Sequence, residues 1–147
     1  MGTGTSSGRR AREKKTYVLD ASALLGWLQG KPDAVKVKEI LQEAMRDRAV
    51  VLMSAVNYGE AYGTVLRLHG QDRAQATMTV VQPLPIEIVE ADAQRCCHAA
   101  EIKVRHKLYY ADSFVAELAL ERKATLVTSD SDFRRMGHGF PILWLKA

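Results

Sequence analysis

The chain has 147 residues, of which 47% are apolar, and it contains 21 basic and 17 acidic residues. This length suits a single folded domain with one hydrophobic core. No apolar run approaches the roughly 18 residues that a membrane-spanning helix needs, and the first fifteen residues lack the apolar stretch of a secretory signal. The two cysteines, Cys96 and Cys97, are adjacent, which is not the spacing of a zinc site or a redox pair. We therefore expect a cytoplasmic protein with reduced thiols and no membrane partner.

The excess positive charge lies at the start of the chain. Residues 1–15 contain five basic residues and one acidic residue in a stretch rich in Gly, Ser and Thr. Residues 16–147 contain 16 basic and 16 acidic residues, so this part of the chain is neutral. We expect residues 1–15 to be a disordered basic tail, either native or left over from expression, and residues 16–147 to form one domain.

Short apolar, β-branched segments alternate with longer segments of helical periodicity along the rest of the chain. The predicted strands are 16–20, 49–54, 84–90, 124–129 and 140–145, and the predicted helices are 21–30, 33–47, 55–69, 71–80, 91–106 and 111–123. In the second helix we expect Asp33 at the N-cap and a core stripe of Val35, Ile40, Leu41 and Met45. Strands separated by helices indicate parallel pairing, so the predicted fold is a three-layer α/β/α domain around a mostly parallel sheet of four to five strands.

Four carboxylates occupy positions that should reach one edge of this sheet. Asp20 ends the first strand, Glu60 lies in the second turn of the helix after the second strand, Asp112 begins the helix before the fourth strand, and Asp130 follows that strand. In parallel sheets, functional groups gather beyond the carboxyl ends of the strands. Two unit charges about 4 Å apart repel by roughly 4 kcal/mol at an effective dielectric near 20. Because Mg²⁺ and Mn²⁺ prefer carboxylate oxygens, the pattern predicts a site for one of these ions.

Taken singly, each of these acids has an ordinary structural explanation. Asp112 could be an N-cap, Asp20 a turn residue and Glu60 a solvated helix residue. Asp130 and Asp132 could cap a short helix that starts near residue 133. The placement of the acids at consecutive strand edges favours the metal site, while Asp132 stays open between a supporting role in that site and a cap.

Four segments of the chain match a known family in order and spacing. They are "YVLDASALLGWL", "MSAVNYGEAYG", "YYADSFVAELALERKATLVTSD" and "SDF". Across residues 16–145 the chain resembles the PIN-domain ribonucleases, most closely the toxins of bacterial VapBC toxin–antitoxin pairs. The chain departs from the common family pattern at Ala61, where leucine often follows the glutamate, and this affects the groove wall rather than the acids.

The resemblance implies a metal-dependent endoribonuclease in which a carboxylate-bound Mg²⁺ or Mn²⁺ activates water. It implies that the metal-binding and catalytic acids are Asp20, Glu60, Asp112 and Asp130. It further implies that Ser22, Thr128 and Asp132 support them. The resemblance also implies an antitoxin partner, an RNA substrate and a homodimer.

Several basic residues are candidates for holding the RNA backbone. Arg67 lies two helical turns beyond Glu60 on the same face. The segment "KVRHK" offers Lys103, Arg105 and Lys107 just before the predicted helix of Asp112. Each of these side chains could equally be a solvated surface residue.

Three other protein classes share part of the acidic pattern. A HAD-type phosphatase requires an aspartate two residues after the first one, and this chain has Ser22 there. A Toprim-type nuclease places a glutamate on its first strand, where this chain has Asp20, although "DSD" at 130–132 matches its second motif. The third class is a catalytically silent PIN-fold binding module, which would normally lack part of the acidic quartet. The alternatives to the ribonuclease are a silent binding module and a Mg²⁺-dependent phosphatase, although each fits the acidic pattern less well.

Overall fold

A computed structural model describes residues 13–147, and residues 1–12 of the predicted tail lie outside the described residues. The strands are β1 (Lys15–Leu19), β2 (Ala49–Ser54), β3 (Glu87–Val89), β4 (Thr125–Thr128) and β5 (Ile142–Trp144). The helices are α1 (Ala21–Leu28), α2 (Ala34–Met45), α3 (Ala55–His69), α4 (Gln71–Val81), α5 (Ala93–His106) and α6 (Tyr110–Arg122), with a 3-10 helix at Ser131–Met136. The first strand begins one residue before its predicted start.

All five strands form one parallel sheet in the order β3-β2-β1-β4-β5. The chain starts in the middle of the sheet, moves outward through β2 and β3, and crosses back to β4 and β5 on the other side. Leu19 of β1 pairs with Val127 of β4, so the next residues, Asp20 and Thr128, are neighbours at the carboxyl edge. The predicted three-layer α/β/α architecture with a parallel central sheet is confirmed.

Alternating side chains on the strands build a core on each face of the sheet. Val18 and Leu126 pack with the buried side of α6, including Val115. Leu19 and Val127 point to the opposite face, where they pack against α1 and α2. Helices on both faces explain why β2 is almost wholly apolar and shows no polar side, and why Val18, Leu19, Leu126 and Val127 are all buried.

The core stripe of α2 differs from the prediction. Val35 and Met45 are 54% and 75% exposed, whereas Val37 is 1% exposed and packs with Ile40 and Leu41. At 100° per residue, residues 37, 40 and 41 share the face that meets the sheet, while position 35 points to the other side. The prediction was wrong for these two residues, because Val35 lies on the opposite side of the helix and Met45 is the last residue of the helix.

Asp33 occupies the N-cap position of α2 but makes no side-chain capping hydrogen bond. Its Oδ2 instead accepts a hydrogen bond from the backbone N–H of Lys146 at 2.8 Å. An ion pair with Lys36 at 3.4 Å holds the same carboxylate. Asp33 therefore connects α2 to the segment after β5 rather than closing the start of its helix.

The third strand is shorter than the predicted 84–90. Only Glu87–Val89 pairs with β2, because the chain before it is still turning. The N–H of Leu84 bonds to the carbonyl of Val81, and the N–H of Ile86 bonds to the carbonyl of Leu84. Pro85, which has no N–H to donate, fits this turn and not a ladder.

Cys96 and Cys97 lie on α5 as free thiols, as the sequence predicts. Among the helices of residues 13–147, none combines the length and apolar character needed to cross a bilayer.

Candidate metal centre

Asp20 lies where β1 passes into α1, and its side chain is held by three donors. Its carboxylate accepts from the backbone N–H of Ala23 at 2.9 Å, from Ser22 Oγ at 2.7 Å and from Thr128 Oγ1 at 2.5 Å. The side chain caps α1, so Asp20 has the local structural role in the turn after β1 that its position suggested. Only 4% of Asp20 is exposed, which is unusual for a carboxylate that serves as a cap alone.

Two hydroxyl groups connect Asp20 to the end of β4. Thr128 Oγ1 accepts from the backbone N–H of Asp130 at 2.9 Å while it donates to Asp20. Ser22 Oγ accepts from the backbone N–H of Ser129 at 3.0 Å. The structure thus places both Ser22 and Thr128 beside Asp20.

Asp130 and Asp132 both lie at the start of the 3-10 helix that follows β4. Asp130 is its N-cap, and its Oδ1 accepts from the backbone N–H of Asp132 at 2.9 Å. The capping interpretation is therefore correct for Asp130. Its capping hydrogen bond uses Oδ1, so Oδ2 takes no part in the cap. Asp132 Oδ1 lies 3.9 Å from Arg135 Nη2, which makes a long ion pair.

Asp112 reaches the same edge because α6 runs back along the sheet and starts at the carboxyl ends of the strands. Tyr109 occupies the N-cap of α6, so Asp112 lies inside the first turn and is not the cap. The residue is 9% exposed, in a helix whose next seven residues are all buried. The cap interpretation of Asp112 is therefore wrong.

The closest group of carboxylates at this edge is Asp112, Asp130 and Asp132. One oxygen from each lies within 4.8 Å of the other two. Carboxylates at this separation repel one another unless protons or a cation neutralise them. The geometry places Asp132 with Asp112 and Asp130 more closely than the sequence alone indicated.

Glu60 approaches from α3 and is the most exposed member of the predicted quartet. Asn57 Nδ2 donates to Glu60 Oε1 at 3.3 Å and to the backbone carbonyl of Ala111 at 3.1 Å. Ala111 immediately precedes Asp112, so this amide joins α3 to α6 next to the acids. The sequence analysis missed Asn57, although an asparagine three residues before Glu60 shares its helix face.

Crowding at this edge raises the pKa of two of the acids. Burial, followed by the charges of Asp130, Glu60, Asp20 and Asp132, raises the pKa of Asp112 to about 7. Burial also raises the pKa of Asp20 to about 6, even though its hydrogen bonds from Thr128, Ser22 and Ala23 oppose the shift. Burial and the neighbouring acids therefore outweigh any lowering of the Asp112 pKa by the N-terminus of α6.

The donor set suits a hard divalent cation. The converging side-chain groups are carboxylates, with the hydroxyls of Ser22 and Thr128 behind them. A cation at Asp112, Asp130 and Asp132 would relieve the charge repulsion that, after burial, raises the pKa of Asp112, and to which Glu60 and Asp20 also contribute. Oxygen ligands of this kind fit Mg²⁺ or Mn²⁺ better than zinc.

The predicted RNA-binding residues are all exposed but do not form one group. Arg67 lies in the last turn of α3, seven residues and therefore about 10 Å along the helix axis from Glu60. Lys103 and Lys107 line a shallow pocket together with Tyr109 and Arg135, and Arg105 lies outside that lining. Arg135, which the sequence analysis missed, donates to the carbonyl of Lys107 at 3.1 Å.

The family can be assigned from the sequence as a whole. The model of the family described as "PIN domain" matches residues 17–139. The chain belongs to the PIN domain family. This confirms the family predicted from the four sequence segments, and it excludes the HAD-type and Toprim-type alternatives.

Solved structures of other proteins show the same fold. VapBC2 from Rickettsia felis, bound to a DNA fragment from its promoter, aligns with a TM-score of 0.69 at 17% identity, over 87% of this chain and 97% of that one. VapC20 from Mycobacterium tuberculosis, described as a sarcin-ricin loop cleaving toxin, gives 0.65 at 19% identity, over 82% and 95%. A toxin–antitoxin complex from Klebsiella pneumoniae gives 0.63 at 16% identity, over 86% and 95%. At these identities the likeness establishes the fold. No curated protein sequence matches the chain.

Proposed function

We propose that this PIN domain is a Mg²⁺- or Mn²⁺-dependent endoribonuclease that acts as the toxin of a type II toxin–antitoxin pair. The observation that carries the proposal is the convergence of Asp112, Asp130 and Asp132 within 4.8 Å at the carboxyl edge of the sheet. Glu60 and Asp20 are near enough to raise the pKa of Asp112 further. A chain has little structural reason to gather five acids at one edge, because they destabilise the fold without a cation.

Each acid has a distinct part in the proposed site. Asp112 and Asp130 hold the ion most directly, and Asp132 supports them from the 3-10 helix. Asp20 is fixed by Ser22 and Thr128, so its carboxylate cannot turn away from the site. Glu60 completes the set from α3. A bound Mg²⁺ or Mn²⁺ supplies an acidified water and stabilises charge on the phosphate being attacked.

RNA as the substrate class is supported by charge beside the acids. Lys103, Lys107 and Arg135 line the pocket next to Tyr109, which directly precedes the helix of Asp112. Cations at this point can hold the phosphates on either side of the bond to be cut. Tyr109 is 72% exposed and offers a ring on which an unpaired base can stack.

The partners and location follow from the likeness in fold to toxins of such pairs. We propose a protein antitoxin that covers the acidic edge, a homodimer, and a cytoplasmic location. A catalytically silent PIN-fold module is less well supported, because every acid of the predicted quartet is present and Asn57 connects Glu60 to the backbone carbonyl of Ala111, next to Asp112.

The proposal is tested by incubating the purified protein with a panel of single-stranded and hairpin RNA oligonucleotides. Cleavage should require Mg²⁺ or Mn²⁺, stop in EDTA and resume when the metal is restored. The same protein should not hydrolyse p-nitrophenyl phosphate, the substrate for a phosphatase. Metal-dependent hydrolysis of that ester with no RNA cleavage would overturn the proposal in favour of the phosphatase. No turnover of either substrate would favour the silent module.

A further inference from the structure

The amide of Asn57 joins the two helices that bring Glu60 and Asp112 to the edge of the sheet. Asn57 lies in the first turn of α3 and is fully buried. Its Nδ2 contacts Glu60 Oε1 on its own helix and the carbonyl of Ala111, the residue before Asp112, on α6. One side chain therefore fixes a candidate ligand on α3 relative to the backbone beside a candidate ligand on α6.

The neighbours of the amide determine which way it faces. Both contacted atoms are acceptors, so only the NH₂ group can point at them; the reverse orientation would bring three oxygens together. The other end of the amide, Oδ1, is buried without a hydrogen-bond partner among the described residues. A buried acceptor without a partner costs about 1–3 kcal/mol. Stability alone therefore does not explain an asparagine at this position.

A neutral donor at this place has a chemical advantage. An amide can direct the Glu60 carboxylate while leaving its full charge available to a cation, whereas a lysine or arginine would neutralise it. Glu60 is exposed and has three rotatable bonds, so it would otherwise spend time in solvent. Groups that orient metal ligands from behind affect metal affinity strongly, although they do not touch the metal.

We propose that Asn57 is a positioning residue, which holds the Glu60 carboxylate towards Asp112 so that Glu60 takes part in binding the divalent ion. This inference rests on the proposed metal-dependent function. It assigns a role to a residue outside the predicted acidic set. It also explains how the most exposed acid of that set is kept at the site.

The test measures Mn²⁺ affinity directly, by electron paramagnetic resonance of free Mn²⁺, and does not depend on activity. The variants are Asn57→Leu, which keeps the branched shape in a larger side chain and removes both the donor and the unpartnered oxygen, and the smaller Asn57→Ala. Both should bind Mn²⁺ about tenfold more weakly than the wild type. Ser54→Ala is the matched control, because it weakens the cap of the same helix without touching Glu60. It should lower the melting temperature in EDTA and leave Mn²⁺ affinity unchanged.

A double-variant cycle separates positioning from a general structural effect. If Asn57 acts through Glu60, then Asn57→Leu combined with Glu60→Ala should bind Mn²⁺ no more weakly than Glu60→Ala alone. Wild-type affinity in both Asn57 variants, or losses that multiply in the double variant, would overturn the positioning role and leave the nuclease proposal standing. Absence of Mn²⁺ binding by the wild type would overturn both.

Discussion

Thr128 Oγ1 donates a hydrogen bond to Asp20 Oδ2, although the two residues are 108 positions apart in the sequence. The contact follows from the sheet, because β1 and β4 are parallel neighbours and Leu19 pairs with Val127. The next residues on the two sides, Asp20 and Thr128, therefore meet at the carboxyl edge. The hydroxyl of Thr128 also accepts from the N–H of Asp130, so one side chain sets the distance between two of the acids.

Replacing this hydroxyl should weaken metal binding. Thr128→Val keeps the buried shape but removes the donor to Asp20 and the acceptor for Asp130. We expect Mn²⁺ affinity to fall about tenfold, as is typical when a group that orients a metal ligand is lost. We expect the free energy of unfolding to fall by about 2 kcal/mol, since a hydrogen bond to an ionisable group is lost in a buried place.

Thr125→Val provides the control for that variant. Thr125 lies at the other end of β4, away from the carboxyl edge, and it is half-buried. It should leave Mn²⁺ affinity as in the wild type. If the two variants bound Mn²⁺ equally well in titration calorimetry, the hydroxyl of Thr128 would have no part in the metal site.

Without metal, the domain should lose stability as the pH rises. The folded pKa values of Asp112 and Asp20, about 7 and about 6, both lie above the ordinary value of 3.8. The folded state therefore binds more protons than the unfolded state between these limits, and its stability falls with rising pH in that range. In EDTA, the melting temperature should decrease between pH 4.5 and pH 7.5, the range in which these two carboxyl groups lose their protons in the folded state.

The variant Asp112→Asn should flatten this decrease, because an asparagine has no proton to lose. Urea titrations at several pH values would give the free energy of unfolding for both proteins. A profile as steep in the variant as in the wild type would mean that Asp112 does not titrate in this range.

A divalent ion should reverse the penalty that the acids impose. At a concentration about 100 times its Kd, an ion that binds only the folded state adds roughly 2.7 kcal/mol. For a domain of this size we expect the melting temperature to rise by roughly 5–10 °C with Mn²⁺. The double variant Asp20→Asn/Asp112→Asn should lose most of this rise in differential scanning fluorimetry. An equal rise in both proteins would place the ion elsewhere.

The corrected core of α2 can be tested with two matched substitutions. Val37→Ala should lower the free energy of unfolding by about 2 kcal/mol, because it removes buried methyl groups and leaves a cavity. Val35→Ala, on the exposed face of the same helix, should change it by less than about 0.5 kcal/mol. Chemical denaturation of both variants would show the difference. Equal effects would mean that α2 is turned differently on the sheet.

The sequence predicted most of the architecture because the signals were local. The apolar run 49–54 coincides with the observed β2. Ser54 and Gly70 flank α3 at the ends that the structure shows. The predicted strand 84–90 was too long because alternation alone does not show where the chain is still turning, and Pro85 was the clue to that. The face of α2 was misassigned because several apolar residues of that helix fit a 3.6-residue period, and only packing decides between them.

The positions of the acids near the carboxyl edge were predictable, but the contacts that hold them were not. Asp20, Glu60, Asp112 and Asp130 follow from strand ends and from the family resemblance. The hydrogen bonds of Asn57 to Ala111 and of Arg135 to Lys107 cross between elements, so no local pattern indicates them. The raised pKa of Asp112 likewise depends on burial and on four acids from other elements, which only the folded chain brings together.

The central claim is that the acids at the carboxyl edge bind the divalent ion that RNA cleavage requires. The most direct test is single-turnover cleavage of one RNA substrate by the Asp112→Asn variant. The matched control is Asp47→Asn, the same change at an exposed aspartate. Asp47 lies just before the start of β2, at the edge of the sheet opposite the acids. With Mg²⁺ or Mn²⁺ present, we expect Asp47→Asn to cut at the wild-type rate. Asp112→Asn should be folded, as judged by circular dichroism, and at least 100-fold slower, roughly the loss of a step assisted by a positioned group. Wild-type cleavage by Asp112→Asn would contradict the account.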